Sequence, residues 1–341
     1  MMTTWQPTAS LEMLQTRARL LSKLRAFFAD KDIYEVQTPV LSHAGNTEPS
    51  IETFVTQQSE HSKYPLQPSF LNTSPEFAMK RLLAAGSGSI YQITPVFRQG
   101  EQSKKHNPEF TLLEWYRLNF DHHALMGEVN LLIRFIAKDF LAMGRSHFYS
   151  YQDAMIKFAD VDPFTASIEE LKAATVKAGI DVVGMEENTS ETFSLETSHQ
   201  ESCRNGWLDL LMCQVVEKNL PLNCPVFIYD YPASQAALAK IRKGSPDVAE
   251  RFELYINGVE LANGFHELSD AAEQAERFKK EQQIRKERGL PGIPADTHLI
   301  AALKHGLPDC AGVAIGFDRL LMVLTGAQQI NDVLTFPFDR A

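Results

Sequence analysis

Near the start of the chain, apolar residues recur at helical spacing: Leu11, Leu14, Leu21, Leu24 and Phe28, with Arg17, Arg19, Lys23 and Arg25 between them. That pattern predicts an amphipathic helix over residues 10–30. Tyr34–Val40 reads as a short strand ending near Pro39, and residues 44–68 are rich in turn formers. Ser74-Pro75-Glu76 then opens a helix, since serine suits the N-cap and proline the first helical position. Met79, Leu82 and Leu83 carry that helix to a stop at Gly86. Two long β-like runs, 90–98 and 109–116, flank a polar loop at 99–108, and 126–141 has a helical pattern. Residues 165–220 read as a helical insertion without visible chemistry, and Val226–Tyr229 as a short buried strand. A hairpin is expected over Arg251–Ala262 around Asn257-Gly258, a strong two-residue turn signal. A charged helix over 269–288, capped by Ser269 or Asp270, precedes a glycine-bearing strand, Gly312–Gly316, and a helix over 318–324. No internal repeat or low-complexity linker interrupts the pattern, so one compact α+β domain is expected.

Composition narrows the class. The chain has 341 residues, 44% of them hydrophobic and 22% charged, which suits a globular protein and not a disordered or fibrous one. No apolar run approaches the roughly 20 residues that span a bilayer. Met1–Ser10 is polar, with no basic residue leading into an apolar stretch, so a cytoplasmic enzyme without a signal peptide is expected. The cysteines Cys203, Cys213, Cys224 and Cys310 lack CxxC spacing and signal neither zinc nor a redox pair. A net charge of −10 disfavours tight nucleic-acid binding and suits a cationic substrate or partner.

Three segments carry candidate chemistry. In the hairpin Glu253-Leu-Tyr-Ile-Asn-Gly-Val-Glu260, a two-residue turn sets Tyr255 against Glu260 and Glu253 against Ala262. Glu253, Tyr255 and Glu260 then share a face, with the two glutamates diagonal neighbours about 7–8 Å apart at the backbone. Carboxylates that close invite a cation, and Mg²⁺ is bound by one or two carboxylates plus substrate phosphates. A solvated strand face with two surface glutamates is the plainer alternative. Glu267 should face away by parity, unless a bulge at Gly264 re-aims it. In the second segment, Arg98 ends a strand and Glu101, Lys104, Lys105, His106 and Asn107 fill the loop before Phe110. Arginine offers a planar fork for phosphate and phenylalanine a stacking face for adenine, whereas the plain reading is a hairpin with a charged tip. In the third, Gly312 and Gly316 on a strand lead to Arg319 at a helix start. Strand glycines mark close approach of a ligand or of packed backbone.

Together these segments resemble the three signatures of class II aminoacyl-tRNA synthetases, in order. Glu35-Val-Gln-Thr-Pro39 is similar to the first, at a dimer interface; Phe97-Arg98 through Glu114-Trp-Tyr116 to the second; Gly312–Leu321 with Arg319 to the third. His106-Asn-Pro-Glu-Phe110 and Glu260-Leu-Ala-Asn-Gly-Phe-His-Glu267 resemble the lysine-specific branch. Only 38 residues precede Pro39, too few for that branch's anticodon-binding module. The chain therefore resembles the free-standing lysyl synthetase paralogues that attach (R)-β-lysine to a lysine of elongation factor P. Tyr231-Pro-Ala-Ser-Gln235-Ala, Phe265-His-Glu267 and Leu307-Pro-Asp-Cys-Ala-Gly312 support that placement.

The resemblance implies a catalytic core of antiparallel sheet flanked by helices. It implies that Arg98 and Arg319 hold ATP phosphates, with Gln99, Gly100, Glu101, His106, Asn107, Phe110, Leu261 and Gly316 around the nucleotide. Glu253 and Glu260 would bind Mg²⁺. Ser74, Pro75 and Glu76 would meet the substrate's amino group near its carboxylate. Tyr116 and Glu267 would hold the distal ammonium, with Asn263 and Ala314 nearby. The family pattern Arg-Asn-Glu is replaced here by Arg98-Gln99-Gly100-Glu101, which moves the glutamate by one position. Ala314 stands where ordinary lysyl-tRNA synthetases carry glycine. The expected partners are a lysine isomer, elongation factor P and a second copy of the chain, with neither membrane nor tRNA. The rival readings are a truncated lysyl-tRNA synthetase and a non-catalytic lysine or ATP sensor.

Overall fold

The computed structural model describes residues 5–56, 68–180 and 197–341, with only the backbone described at 197–200. Parts of the expected turn-rich segment, 57–67, and of the expected insertion, 181–196, lie outside the described residues. The chain forms two compact units, residues 1–142 with 266–341, and residues 143–265.

The first unit opens with α1 (Leu11–Ala29), whose N-cap Ser10 accepts a hydrogen bond from the Met13 N–H. Its inward face buries Leu20, Leu24 and Phe28, and Phe28 stacks on Tyr91 with ring centroids 4.3 Å apart. The expected Tyr34–Val40 strand is cut down to β1 (Tyr34–Glu35). Pro39 has no N–H for a ladder, and the chain leaves the sheet before it. Leu41–Ser42 (β2) instead joins Val55–Thr56 (β3) and Ser69–Leu71 (β4) in a small antiparallel sheet. Helix α2 spans Glu76–Ala84 with Pro75 at the N-cap, one residue later than expected. Ser74 still caps, because its Oγ accepts from the Glu76 N–H at 3.0 Å. Strands β5 (Ile90–Phe97) and β6 (Glu109–Leu118) pair antiparallel, as their patterns predict. Helix α3 (His122–Ala137) starts four residues earlier than expected because Asp121 caps it, accepting from the Ala124 N–H.

The second unit holds β7 (His147–Ser150), α4 (Tyr151–Ala159), α5 (Ile168–Lys177) and α6 (Thr197–Leu211). A π-helical turn at Met212–Val216 leads into α7 (Glu217–Asn219). Then come β8 (Val226–Pro232), β9 (Ile241–Arg242), β10 (Val248–Ile256) and β11 (Val259–His266). Strands run in the order β7-β8-β10-β11, with β9 also on β10, over a core containing Trp207, Leu211, Val226 and Ile228. The Asn257-Gly258 turn forms as expected, both residues having positive φ. β7, α4 and β9 have no counterpart in the pattern reading.

The first unit resumes with α8 (Ala271–Glu287), capped by Asp270, and α9 (Thr297–Gly306). β12 (Cys310–Gly316) pairs antiparallel with β6, and α10 (Phe317–Thr325) follows at once. The strand order here is β1-β5-β6-β12, antiparallel except for β1. Strands and helices combine as the α+β class expected. Among the described residues, no helix is long and apolar enough to cross a membrane.

Candidate active site

One face of β5, β6 and β12 organises the first unit's chemistry. Register sets Phe110 beside Val96, then Glu114 beside Gln92 and Ala314, then Tyr116 beside Ile90 and Gly312. Because side chains alternate, Phe110, Glu114 and Tyr116 point the same way. At about 3.3 Å per residue, Phe110 and Tyr116 lie roughly 20 Å apart along β6.

At the Tyr116 end the face is acidic and closed. The Lys80 ammonium lies 2.6 Å from Glu76 Oε1 and 2.6 Å from Glu267 Oε2. Glu114 accepts from the Ser74 hydroxyl and from the Tyr116 hydroxyl, each at 2.8 Å. Gly312 is required here: an added Cβ would sit 2.3 Å from the Tyr116 ring and 2.5 Å from Glu267 Oε1. Lys80, Glu114, Tyr116 and Glu267 are all buried. Burial raises Glu114 to about 8, and the neighbouring Glu76 charge adds to that. Burial also raises Glu267 to about 8, against the opposing pull of Lys80. Burial alone would push the Lys80 ammonium down, but Glu267 and Glu76 outweigh it and hold the group above its ordinary value. Glu267 meets the Lys80 ammonium and also accepts from the Gly312 N–H. The sequence reading assigned Glu76 and Glu267 to a ligand's two amines and missed Lys80, which already lies between them.

The Phe110 end is cationic. The Arg98 guanidinium lies 5.2 Å from the centroid of the Phe110 ring and 3.6 Å from a Glu101 oxygen. Gly100 has φ +81°, a conformation that favours glycine. That turn brings Glu101 back within ion-pair distance of Arg98. The Gln99 N–H donates to the Glu52 carbonyl at 2.9 Å. Asn107 is buried, donating to the Glu109 carbonyl and accepting from the Phe338 N–H. Arg319 meets His106 Nε2 and the Lys105 carbonyl. Facing a guanidinium, Nε2 must accept, so His106 is neutral with its proton on Nδ1, 2.7 Å from the Ser103 hydroxyl. Burial and Arg319 both lower its pKa. The start of α10 is pinned one residue earlier, since Asp318 pairs with Arg17 and accepts from the Thr111 N–H at 2.7 Å. A Cβ on Gly316 would meet only the Arg319 stem, at 3.8 Å or more, so packing alone does not demand glycine there.

In the second unit the hairpin register differs from the expectation. Glu253 faces Asn263, not Ala262, because Leu261 forms a bulge between Glu260 and Ala262. The bulge is at Leu261 and not at Gly264. It flips the parity of every later residue, so Asn263 shares the Glu253 face. Glu253 is fully engaged: Oε1 accepts from Arg251 at 2.5 Å, and Oε2 accepts from the Tyr231 hydroxyl at 2.6 Å and from the Tyr255 hydroxyl. Arg251 also donates to Asn263 Oδ1 and to the Gln235 carbonyl. The cation beside Glu253 is thus a guanidinium that the sequence reading did not single out. Glu260 is half-buried beside Tyr255, and Leu261 is buried.

Three residues were therefore missed, each with a faint signal. Lys80 lies four residues after Glu76, Glu114 lies two before Tyr116, and Arg251 lies two before Glu253. The profile of tRNA synthetases class II (D, K and N) matches residues 2–340. The chain is 46% identical over 341 residues, all of both chains, to an elongation factor P--(R)-beta-lysine ligase of Vibrio atlanticus. It is 47% identical to a ligase of that name from Vibrio parahaemolyticus, again over the full length of both. It is 44% identical to one from Yersinia enterocolitica, over 99% of this chain and 98% of that one. With its ordered signatures, its strand face and a match over nearly every residue, the chain belongs to the class II tRNA synthetase family of the D, K and N type.

Proposed function

We propose that this protein activates (R)-β-lysine, or lysine, with ATP and transfers it to the ε-amino group of a lysine on elongation factor P. The observation that carries this reading is the strand face of the first unit, with a guanidinium over a phenyl ring at one end and a buried pocket of three carboxylates around one ammonium at the other. The amino-acid carboxylate attacks the α-phosphorus of ATP, and the bond to pyrophosphate breaks. Arg98 and Arg319 stabilise the charge on the phosphates, so the step needs no protein nucleophile. Phe110 stacks on adenine, while Gln99, Gly100, Glu101, His106 and Asn107 shape the nucleotide's surroundings. Gly316 and Leu261 line the ATP, and the glycine that packing does not demand leaves room for a ligand. Glu76, with Ser74 and Pro75, takes the amino group nearer the carboxylate; Tyr116 and Glu267 take the distal one. Asn263 and Ala314 complete the contacts. The acceptor amine then attacks the adenylate carbonyl, an amide bond forms, AMP leaves, and the amine gives up a proton.

A divalent ion, Mg²⁺ in this reading, would neutralise phosphate charge. The donor set fits it unevenly. Both oxygens of Glu253 already accept hydrogen bonds, so it would join a metal only by giving some of them up. Glu253 and Glu260 would be the protein ligands, with substrate phosphates supplying most of the remaining oxygens. The enzyme acts in the cytoplasm as a homodimer, with the Glu35–Pro39 segment at the interface.

Incubation of elongation factor P with the enzyme, ATP and each lysine isomer, followed by mass spectrometry, tests the reading. A mass gain of one lysyl residue on a single lysine is expected. Charging of tRNA with no change in elongation factor P would favour the truncated synthetase, and ATP binding without pyrophosphate release would favour a sensor.

A further inference from the structure

Lys80 is the feature of the acid pocket that the proposed chemistry does not use. Its side chain is 1% exposed and its ammonium touches both carboxylates assigned to the substrate. A third carboxylate beside them, Glu114, is held by neutral hydroxyls. Three carboxylates against one ammonium leave two negative charges when all are ionised. Resting on the proposed amino-acid activation, we infer that Lys80 is the specificity-determining and positioning residue of this pocket: it sets the net charge to match a substrate with two ammonium groups, and it fixes Glu76 and Glu267 so that each keeps an oxygen for the substrate.

The geometry divides the oxygens as this role requires. Lys80 Nζ uses Glu76 Oε1 and Glu267 Oε2, so the ammonium does not take up the second oxygen of either carboxylate. Glu267 Oε1 lies against Gly312, where even a methyl group would collide, and the carboxylate also accepts from the Gly312 N–H, so the glycine lets Glu267 sit this close to β12. Other titratable groups do not disturb the count. Tyr116 and Cys310 are held neutral by burial, which raises both. Arg81, on α2, is exposed. Helix α9, packed on α2, turns Leu299 and Leu303 inward and leaves His298, Lys304 and His305 exposed. The carboxylates are poised between protonation states near pH 8, so a cation inside the pocket governs how many are ionised when the substrate arrives. A neutral residue at 80 would leave three crowded carboxylates that hold protons to higher pH, and a two-ammonium substrate would meet less charge.

Lysine-dependent ATP–pyrophosphate exchange, followed across pH in the wild type and in Lys80→Met, Lys80→Gln and Lys80→Arg, tests this. Both neutral variants are expected to raise KM for lysine roughly tenfold or more, with KM for ATP changed less than about twofold. The acid limb of kcat/KM for lysine should move up by about one pH unit, while Lys80→Arg keeps the wild-type limb. A scaffold role would lower activity without moving that limb, so a neutral variant with the wild-type pH profile overturns the inference. Should neither neutral variant fold, Lys80→Arg decides: an unmoved acid limb is expected, and a shifted one overturns the charge role. Wild-type enzyme with no lysine-dependent exchange would instead defeat the proposed function, whatever the Lys80 variants do.

Discussion

Two buried glutamates, each beside a cation, end up with opposite characters. In the second unit, Glu253 has both oxygens filled, by Arg251 and by the hydroxyls of Tyr231 and Tyr255. In the first, Glu267 meets the Lys80 ammonium and the Gly312 N–H, yet burial holds its pKa near 8. A saturated network rigidifies the fold around it, whereas a buried carboxylate whose ionised form is disfavoured gains most from a ligand that brings a further cation. The difference separates scaffold from binding site on physical grounds, without reference to any relative.

The comparison breaks first, and most visibly, at Glu267. Glu267→Gln is expected to lower kcat/KM for lysine about a thousandfold, equivalent to about 4 kcal/mol, with little loss of melting temperature. Steady-state exchange assays beside thermal denaturation would show it, and a large fall in stability with intact activity would reverse the two roles. Glu253→Gln should do the opposite. It leaves the Arg251 guanidinium, 18% exposed, without its countercharge, and should cost about 3 kcal/mol of stability by urea denaturation. Gly312→Ala follows, since its Cβ would collide with Tyr116 and Glu267; about 2 kcal/mol of destabilisation is expected, with a weakened response to lysine.

A smaller effect sharpens the contrast through pH. Glu114 and Glu267 ionise at about 4.5 when unfolded and about 8 when buried, so the folded state holds more protons between those values. Stability of the ligand-free protein should therefore fall as pH rises from about 4.5 to about 8, and Glu114→Gln should flatten that fall. Added lysine, whose ammonium groups favour the ionised carboxylates, should stabilise more at pH 8 than at pH 6 in thermal-shift measurements. The least effect is expected at the half-buried Arg98–Glu101 pair, which is 3.6 Å apart. Glu101→Ala should change stability by no more than about 1 kcal/mol.

Much of this frame was legible from local rules. The first helix announced itself by spacing and by Ser10, the hairpin by Asn257-Gly258, and β5 and β6 by their apolar runs. Glycine positions carried real information too, because Gly312 marks a close approach and Gly100 a left-handed turn. What stayed hidden depends on burial and register. Lys80, four residues after Glu76, looks like any helix-surface ion pair until the fold encloses it. The Leu261 bulge has no residue signature, yet it changes which face every later residue of β11 occupies. Arg251 shares a face with Glu253, and whether a guanidinium or a metal ion neutralises that glutamate is decided by side-chain reach and not by alternation. The sequence pattern puts the strand's end at Pro39, yet the strand already stops at Glu35, four residues earlier.

Amino-acid-dependent ATP–pyrophosphate exchange by the purified protein tests the central claim most directly. Lysine or (R)-β-lysine should drive rapid exchange, norleucine, which lacks the distal amine, should not, and Arg98→Ala should nearly abolish the signal. Exchange that norleucine supports as well as lysine, or that survives loss of Arg98, would contradict the account.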